Sequence, residues 1–162
     1  MTRLVGIILG SVGAVVVALT LVATLLWAHA SGGPGSAPDG SVNDYTSLVS
    51  HLQATGAMVI PQPAPQTKFW GNATAYTVLL NGERVDVYQF NTTLDATSAA
   101  GQMSADGSQQ RTGPFSMAEI DWVAPPHFFR ANRVIAIYIG RSEAALTPLH
   151  QVMGAPFAEE KG

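Results

Sequence analysis

The chain contains no cysteine among its 162 residues. This absence excludes disulfide bonds, a thiol nucleophile, cysteine-ligated metal and the acylated cysteine of a lipoprotein. A folded domain of this chain must therefore be held together by its hydrophobic core. Residues 41–157 provide a stretch long enough to bury such a core.

Charged side chains are also scarce, because Asp, Glu, Lys and Arg make up only 12% of the chain. Residues 31–162 carry seven Lys/Arg against eleven Asp/Glu and contain no basic patch. This charge argues against nucleic acid as a partner. The sequence also lacks a Gly-x-Ser-x-Gly elbow, a His-Glu-x-x-His motif, a phosphate-binding glycine loop and a Rossmann fingerprint. We therefore assign no catalytic residue and expect no cofactor.

The sequence also lacks residues at the spacing that is typical of metal ligands. The four histidines, at positions 29, 51, 127 and 150, are far apart in the sequence. None of them has the short spacing to a second histidine that is typical of metal ligands. The sequence therefore predicts no metal site.

One long uncharged run is present, at residues 4–27, and it is rich in Leu, Val, Ile and Ala. As a helix, at about 1.5 Å per residue, it spans roughly 36 Å, enough for a hydrocarbon core of about 30 Å. Arg3 and the α-amino group precede the run, and neutral residues follow it. Because positive charge stays on the cytoplasmic side, we expect a single-pass cell-membrane protein with a cytoplasmic N-terminus and an extracytoplasmic remainder.

Two interpretations of this leader are open. Residues 28–30, Ala-His-Ala, fit a small-x-small cleavage site, so that residues 1–30 form a removable signal peptide and the protein is secreted after cleavage at Ala30. The run is nevertheless longer than the ~7–15 apolar residues usual in signal peptides, which favours a retained anchor.

Small residues recur at every fourth position of this run, at Gly6, Gly10, Ala14 and Ala18. A stripe of this kind permits close helix packing, which suggests self-association or a membrane protein partner. The alternative is that Gly and Ala are simply common in membrane helices.

The remainder divides into three parts. Residues 31–40 are rich in Gly, Pro and Ser and predict a flexible linker. Residues 41–157 predict an extracytoplasmic α+β domain, and residues 158–162 a disordered tail.

A hairpin at residues 75–90 is the clearest element of the domain. Asn81-Gly82 is a type I′ turn dipeptide between two alternating runs. A two-residue loop there pairs Leu80 with Glu83 and separates a largely apolar face from a mostly polar one, as a half-buried antiparallel pair requires.

Helical spacing predicts three helices. Ser41 is the expected N-cap of the first, with Asp44 as its capping-box partner and Gly56 as its stop. A weaker helix follows the hairpin. The last occupies residues 142–153, where Pro148 requires a late start or a kink.

These elements predict an α+β fold. We expect an antiparallel sheet of two hairpin-helix units, at residues 75–103 and 126–153, with an additional N-terminal helix and a single transmembrane helix before it. The helices are expected to pack mainly on one face of the sheet.

Residues 122–130, Trp-Val-Ala-Pro-Pro-His-Phe-Phe-Arg, are the most distinctive stretch. With residues 80–88 and 133–140, it resembles a family of small bacterial extracytoplasmic proteins that carry a similar Trp-Val-Ala-Pro-Pro-His-Phe segment behind a signal or lipoprotein leader. The resemblance covers roughly residues 48–157 and implies domain limits and an envelope location, but no function. Lipoprotein members have a leader cysteine that this chain lacks, so their mode of attachment does not carry over.

This stretch has two interpretations. In the functional one, the two prolines hold Trp122, His127 and Phe128 around a ligand, with Arg130 binding an anionic group. In the structural one, Trp122 and Phe128 fill the core and His127 hydrogen-bonds a backbone group.

The leading functional hypothesis is a non-enzymatic, membrane-tethered extracytoplasmic module that acts through protein contact in an envelope complex. The alternative is a domain that binds a small ligand near Trp122, His127 and Arg130. An enzyme of unspecified type ranks third.

Overall fold

A computed structural model describes residues 41–66 and 68–160. The predicted membrane span, the linker and the small-residue stripe lie outside these residues. In this part of the chain, no helix has the length and apolar character needed to cross a bilayer.

The described chain is an α+β domain with an antiparallel main sheet and three helices. Its elements, in chain order, are α1 (Tyr45–Ala54), β1 (Val59–Gln62), β2 (Thr74–Leu80), β3 (Glu83–Gln89), α2 (Thr93–Ala100), β4 (Gln109–Gly113), β5 (Ser116–Glu119), β6 (Pro126–Ala131), β7 (Val134–Ile139), α3 (Glu143–Met153) and β8 (Ala158–Glu159).

Six strands form the main sheet in the order β1-β2-β3-β7-β6-β8, and each neighbouring pair is antiparallel. Strands β4 and β5 form a separate two-stranded hairpin. One edge of the main sheet, β1, contains Pro61, and the other, β8, has two residues. A proline and a very short strand both discourage the addition of a foreign strand.

The predicted hairpin register is confirmed. Leu80 pairs with Glu83, and the pairing continues to Thr74 with Gln89. Asn81 and Gly82 have φ values of 51° and 90°, as a type I′ turn requires. Register follows the sequence here because the turn and the alternation specify the same pairing.

The sheet is covered on both faces. Helices α1 and α3 lie over the first core, which includes Leu48, Leu52, Val78, Leu80, Val85, Val87, Phe129 and Leu149. Helix α2 and the segment before β2 lie over the second, which includes Trp70, Tyr88, Phe90, Ala96, Ala99, Phe128, Ile135 and Ile137. Two of the three helices thus share a face, as expected, while α2 occupies the other.

The N-cap of α1 differs from the one predicted from the sequence. The N-cap is Asp44, not Ser41, and its box partner is Ser47. Asp44 Oδ1 accepts a 2.8 Å hydrogen bond from the Ser47 backbone N–H, while Ser47 Oγ accepts one of 3.0 Å from the Asp44 N–H. Val42 is buried in the first core. The chain enters that core in an extended form, and the helix starts only after it.

We expect Asp44→Ala to lower the free energy of unfolding by about 1 kcal/mol, because the cap satisfies an otherwise unpaired helix N–H. The hydrogen bonds from Ser47, first from its backbone N–H and then from its hydroxyl, lower the pKa of Asp44. A lowered folded-state pKa stabilises the fold above the unfolded pKa, and this contribution is lost as the pH falls below about 4.

Urea unfolding at pH 7 and at pH 3 measures both effects. Asp44→Asn is the matched control, since it keeps a capping oxygen but does not titrate. It should retain most of the stability at pH 7 and show less acid sensitivity. If Asp44→Ala and the parent chain are equally stable at pH 7, the Asp44 cap does not contribute to the stability of the domain.

Helix α3 runs through Pro148. A proline has no N–H, so the carbonyl four residues earlier, that of Ala144, loses its helical partner. Asn81 Nδ2 donates a 2.8 Å hydrogen bond to this carbonyl, and Asn81 Oδ1 accepts one of 2.8 Å from the Met58 N–H. A single turn residue therefore joins the β2–β3 hairpin to the residue before β1 and to α3.

The C-terminal residues correct a second expectation. The sequence predicts a disordered tail at residues 158–162, but in the described part of this segment Ala158 and Glu159 form β8 and pair with β6. Ala158 is buried in the second core, and the Phe157 N–H donates to the Phe128 carbonyl at 2.8 Å. Burial of apolar surface and backbone pairing extend the domain beyond residue 157.

Candidate functional site

Trp122 and Phe128 lie together in the second core. Their ring centroids are 5.8 Å apart in an edge-on arrangement, and Phe128 is fully buried. Trp122 Nε1 donates a 2.8 Å hydrogen bond to the carbonyl of Gly107. Gly107 has φ +74°, and a Cβ there would lie 2.8 Å from the Phe128 ring. The two rings therefore hold the loop before β4 against the sheet.

His127 lies on the opposite face of the sheet, beside Tyr138. Its Nε2 is 2.9 Å from the Gly140 carbonyl, which can only accept, so Nε2 carries a proton. The buried Nδ1 has no hydrogen bond and lies 3.4 Å from Glu159 Oε2. A neutral ring presents a lone pair to this carboxylate, whereas a protonated ring can donate to it.

Arg130 is on the same face as Phe128, and its Nη1 donates a 3.0 Å hydrogen bond to Thr97 Oγ1 on α2. The structure thus brings Trp122 and Phe128 together, places Arg130 beside α2 and puts His127 across the sheet. Successive strand residues point to opposite faces, so these four residues do not line one cleft. Their role in ligand binding stays a prediction.

The β4–β5 hairpin carries a feature that sequence reasoning missed. Its strands are joined by Pro114 and Phe115, between the paired residues Gly113 and Ser116. The Phe115 side chain is fully exposed, and that of Met117 is half exposed. We call these two residues the Phe115 tip. The sequence alone predicts a polar loop before Phe115, because no alternation marks Gln109–Gly113 as a strand.

The base of this hairpin is tied to the domain. The Arg111 N–H donates to the Gln102 carbonyl at 2.8 Å, and the Ser104 N–H donates to the Gln109 carbonyl at 2.9 Å. In the preceding loop, hydrogen bonds from the Ser104 hydroxyl and then from Ser108 lower the pKa of Asp106 to about 2. Asp106 therefore stays ionised at neutral pH. These bonds give the tip a defined base.

Charge around the hairpin is acidic. Residues 104–123 contain Asp106, Glu119 and Asp121 against the single cation Arg111. Within residues 41–66 and 68–160, no three His, Asp or Glu side chains are grouped so as to hold a metal ion.

Comparison with known proteins gives no match among family models, curated proteins or solved structures. The similarity of residues 122–130 to small bacterial extracytoplasmic proteins therefore remains a prediction.

Proposed function

We propose that this chain is a membrane-tethered extracytoplasmic module that acts, without catalysis, through protein contact in an envelope complex, and that the Phe115 tip makes the contact. The observation that carries this proposal is the full exposure of Phe115 at the end of a hairpin with a fixed base. Burying such a side chain is worth about 1.5–3 kcal/mol, and this domain gains none of that by itself.

The charge around the tip favours a protein partner over a lipid surface. Apolar segments that bind bilayers are typically accompanied by Lys and Arg, which anionic headgroups attract. Here residues 104–123 hold three carboxylates and only Arg111. A partner with an apolar pocket for Phe115 and basic residues around it matches both the shape and the charge.

The sheet edges support a contact made by side chains. Pro61 removes a donor from β1, and β8 is only two residues long. Strand addition needs a run of unpaired backbone groups, which neither edge provides. The end of the β4–β5 hairpin instead presents the exposed side chains of Phe115 and Met117.

The predicted span at residues 4–27 and the linker at residues 31–40 supply the tether in this proposal. A retained anchor keeps the partner search within the membrane plane and raises the effective concentration of the module. The stripe at Gly6, Gly10, Ala14 and Ala18 offers a second contact within the bilayer, with another copy or with a membrane protein partner.

Phe115→Asp tests the proposal in the full chain, purified by affinity from gently solubilised membranes. We expect recovery of the partner to fall about tenfold or more, since hot-spot residues at interfaces cost over 1 kcal/mol when truncated. The matched control is Leu94→Asp, which alters a largely exposed side chain on α2 and should leave recovery unchanged.

Equal recovery with the parent chain, Phe115→Asp and Leu94→Asp would overturn the proposed contact. Mass spectrometry of the mature N-terminus checks the tether in the same sample. A chain that begins at Ser31 would refute the retained anchor.

A further inference from the structure

A second surface feature lies beside the hairpin. A cleft of about 560 Å³ separates residues 69–72 from β4 and the turn that follows it. This volume is within the range of about 300–1,000 Å³ usual for small-molecule sites. The side chains that determine its chemistry are Phe69, Trp70, Asn72, Gln102, Gln110 and Arg111.

The aromatic wall of the cleft is fixed before any ligand arrives. Trp70 is only 4% exposed, and its ring packs edge-on against Tyr88, with centroids 5.2 Å apart. The Phe69 N–H donates to Tyr88 Oη at 3.1 Å, and the Ala73 N–H to the Trp70 carbonyl at 3.3 Å. A wall held in this way loses little conformational entropy on binding.

Charge restricts the class of ligand. The lining contains no Asp, Glu or His, so it offers no carboxylate to a cation. Arg111 is exposed, and its guanidinium makes no ion pair or hydrogen bond with the rest of the described chain. A guanidinium pairs best with a planar anion such as a carboxylate, through two parallel hydrogen bonds.

The carboxamide side chains restrict the class of ligand further. Asn72, Gln102 and Gln110 each both donate and accept hydrogen bonds, whereas phosphate oxygens only accept. Hydroxyl groups do both and therefore match all three amides. The C–H face of a sugar ring in turn suits the partly exposed ring of Phe69, which Trp70 supports edge-on from the core. We infer that this cleft binds a sugar acid, a carbohydrate that bears a carboxylate. This binding goes beyond the protein contact at the Phe115 tip.

The experiment uses the ¹⁵N-labelled full chain in detergent micelles, with trigalacturonate as the probe and maltotriose as the neutral control. The Gly71 amide and the Trp70 indole N–H report binding in ¹H–¹⁵N spectra, and Trp70→Phe assigns the indole signal. We expect saturable shifts with trigalacturonate and an affinity about tenfold weaker in Arg111→Gln, which loses the charge-assisted bonds. Arg141→Gln, a change at an exposed arginine away from this cleft, should bind like the parent chain.

Three results would each overturn the inference: no shift at Gly71, equal binding of maltotriose, or unchanged affinity in Arg111→Gln. Acetate is added separately, and an equal affinity for acetate would also overturn it, since the carboxylate alone would then account for binding. Phe115→Asp should bind trigalacturonate normally, so failure of the sugar site and failure of the proposed protein contact are distinguishable.

Discussion

Phe128→Ala is expected to lower the free energy of unfolding by about 3–5 kcal/mol, because it removes a large side chain from a core that cannot close around the void. Phe128 is fully buried. Its ring lies about 6 Å from four others, those of Phe69, Trp70, Trp122 and Phe157. The loss should therefore loosen the segments before β2 and β4 and the C-terminal residues together.

Urea denaturation followed by tryptophan fluorescence measures this change. Phe128→Leu keeps most of the volume and should cost about 1 kcal/mol, so the test stays readable when the alanine variant does not fold. Phe115→Ala is the matched control, because it removes the same side chain from a fully exposed position. It should change stability by no more than about 0.5 kcal/mol. Equal losses in Phe128→Ala and Phe115→Ala would contradict both placements.

Asn81→Ala is expected to lower the free energy of unfolding by about 2–3 kcal/mol. Asn81 has φ 51°, a conformation that disfavours alanine by roughly 1 kcal/mol. The substitution also removes the hydrogen bonds to the Ala144 carbonyl and from the Met58 N–H, each worth about 1 kcal/mol. Pro148 has no N–H to donate to the Ala144 carbonyl. When the Asn81 side chain is removed, the helix therefore offers this carbonyl no other donor.

Two further variants separate these contributions in thermal or urea unfolding. Asn81→Gly accepts the positive φ but loses both side-chain bonds, whereas Asn81→Asp keeps the oxygen that accepts from Met58. Asn81→Gly should therefore be more stable than Asn81→Ala. Asn81→Asp sets the bond from Met58 against the repulsion between its second oxygen and the Ala144 carbonyl. If Asn81→Ala equals the parent chain, the bridge from the hairpin to α3 contributes nothing.

The β2–β3 hairpin could be predicted from sequence because its determinants are local. Asn81-Gly82 specifies the turn, and alternation specifies which residues face the core. The continuous apolar run at Val134–Ile139 likewise predicts a strand buried on both faces, and β7 contacts both cores. Pro148 shows the limit of local reasoning, since the residue that satisfies the freed carbonyl is distant in sequence.

The cap of α1 could not be chosen from sequence alone. Ser41 and Asp44, like Asp44 and Ser47, are three residues apart, so each pair fits a capping box. Burial of Val42 decides between them, because it keeps the chain extended until Asp44. That burial depends on contacts with the rest of the sheet and leaves no local signal.

The arrangement of the candidate site residues could not be predicted from sequence for a related reason. The two prolines predict that His127 and Phe128 are held around one ligand, yet adjacent strand residues face opposite sides of the sheet. The sequence does not mark Phe115, because its exposure depends on a hairpin whose first strand, Gln109–Gly113, has neither alternation nor strong β propensity. The exposure of Phe115 is notable only in comparison with aromatic residues such as Phe90, Phe128 and Phe129, which the fold buries.

A photo-crosslinking amino acid at position 115 of the full chain, activated in intact membranes, tests the protein contact most directly. Position 94 serves as the control, since its side chain is also largely exposed. The proposal predicts a discrete protein adduct from position 115 that is absent from position 94. An adduct with lipid alone, no adduct at 115, or the same bands from both positions would contradict it.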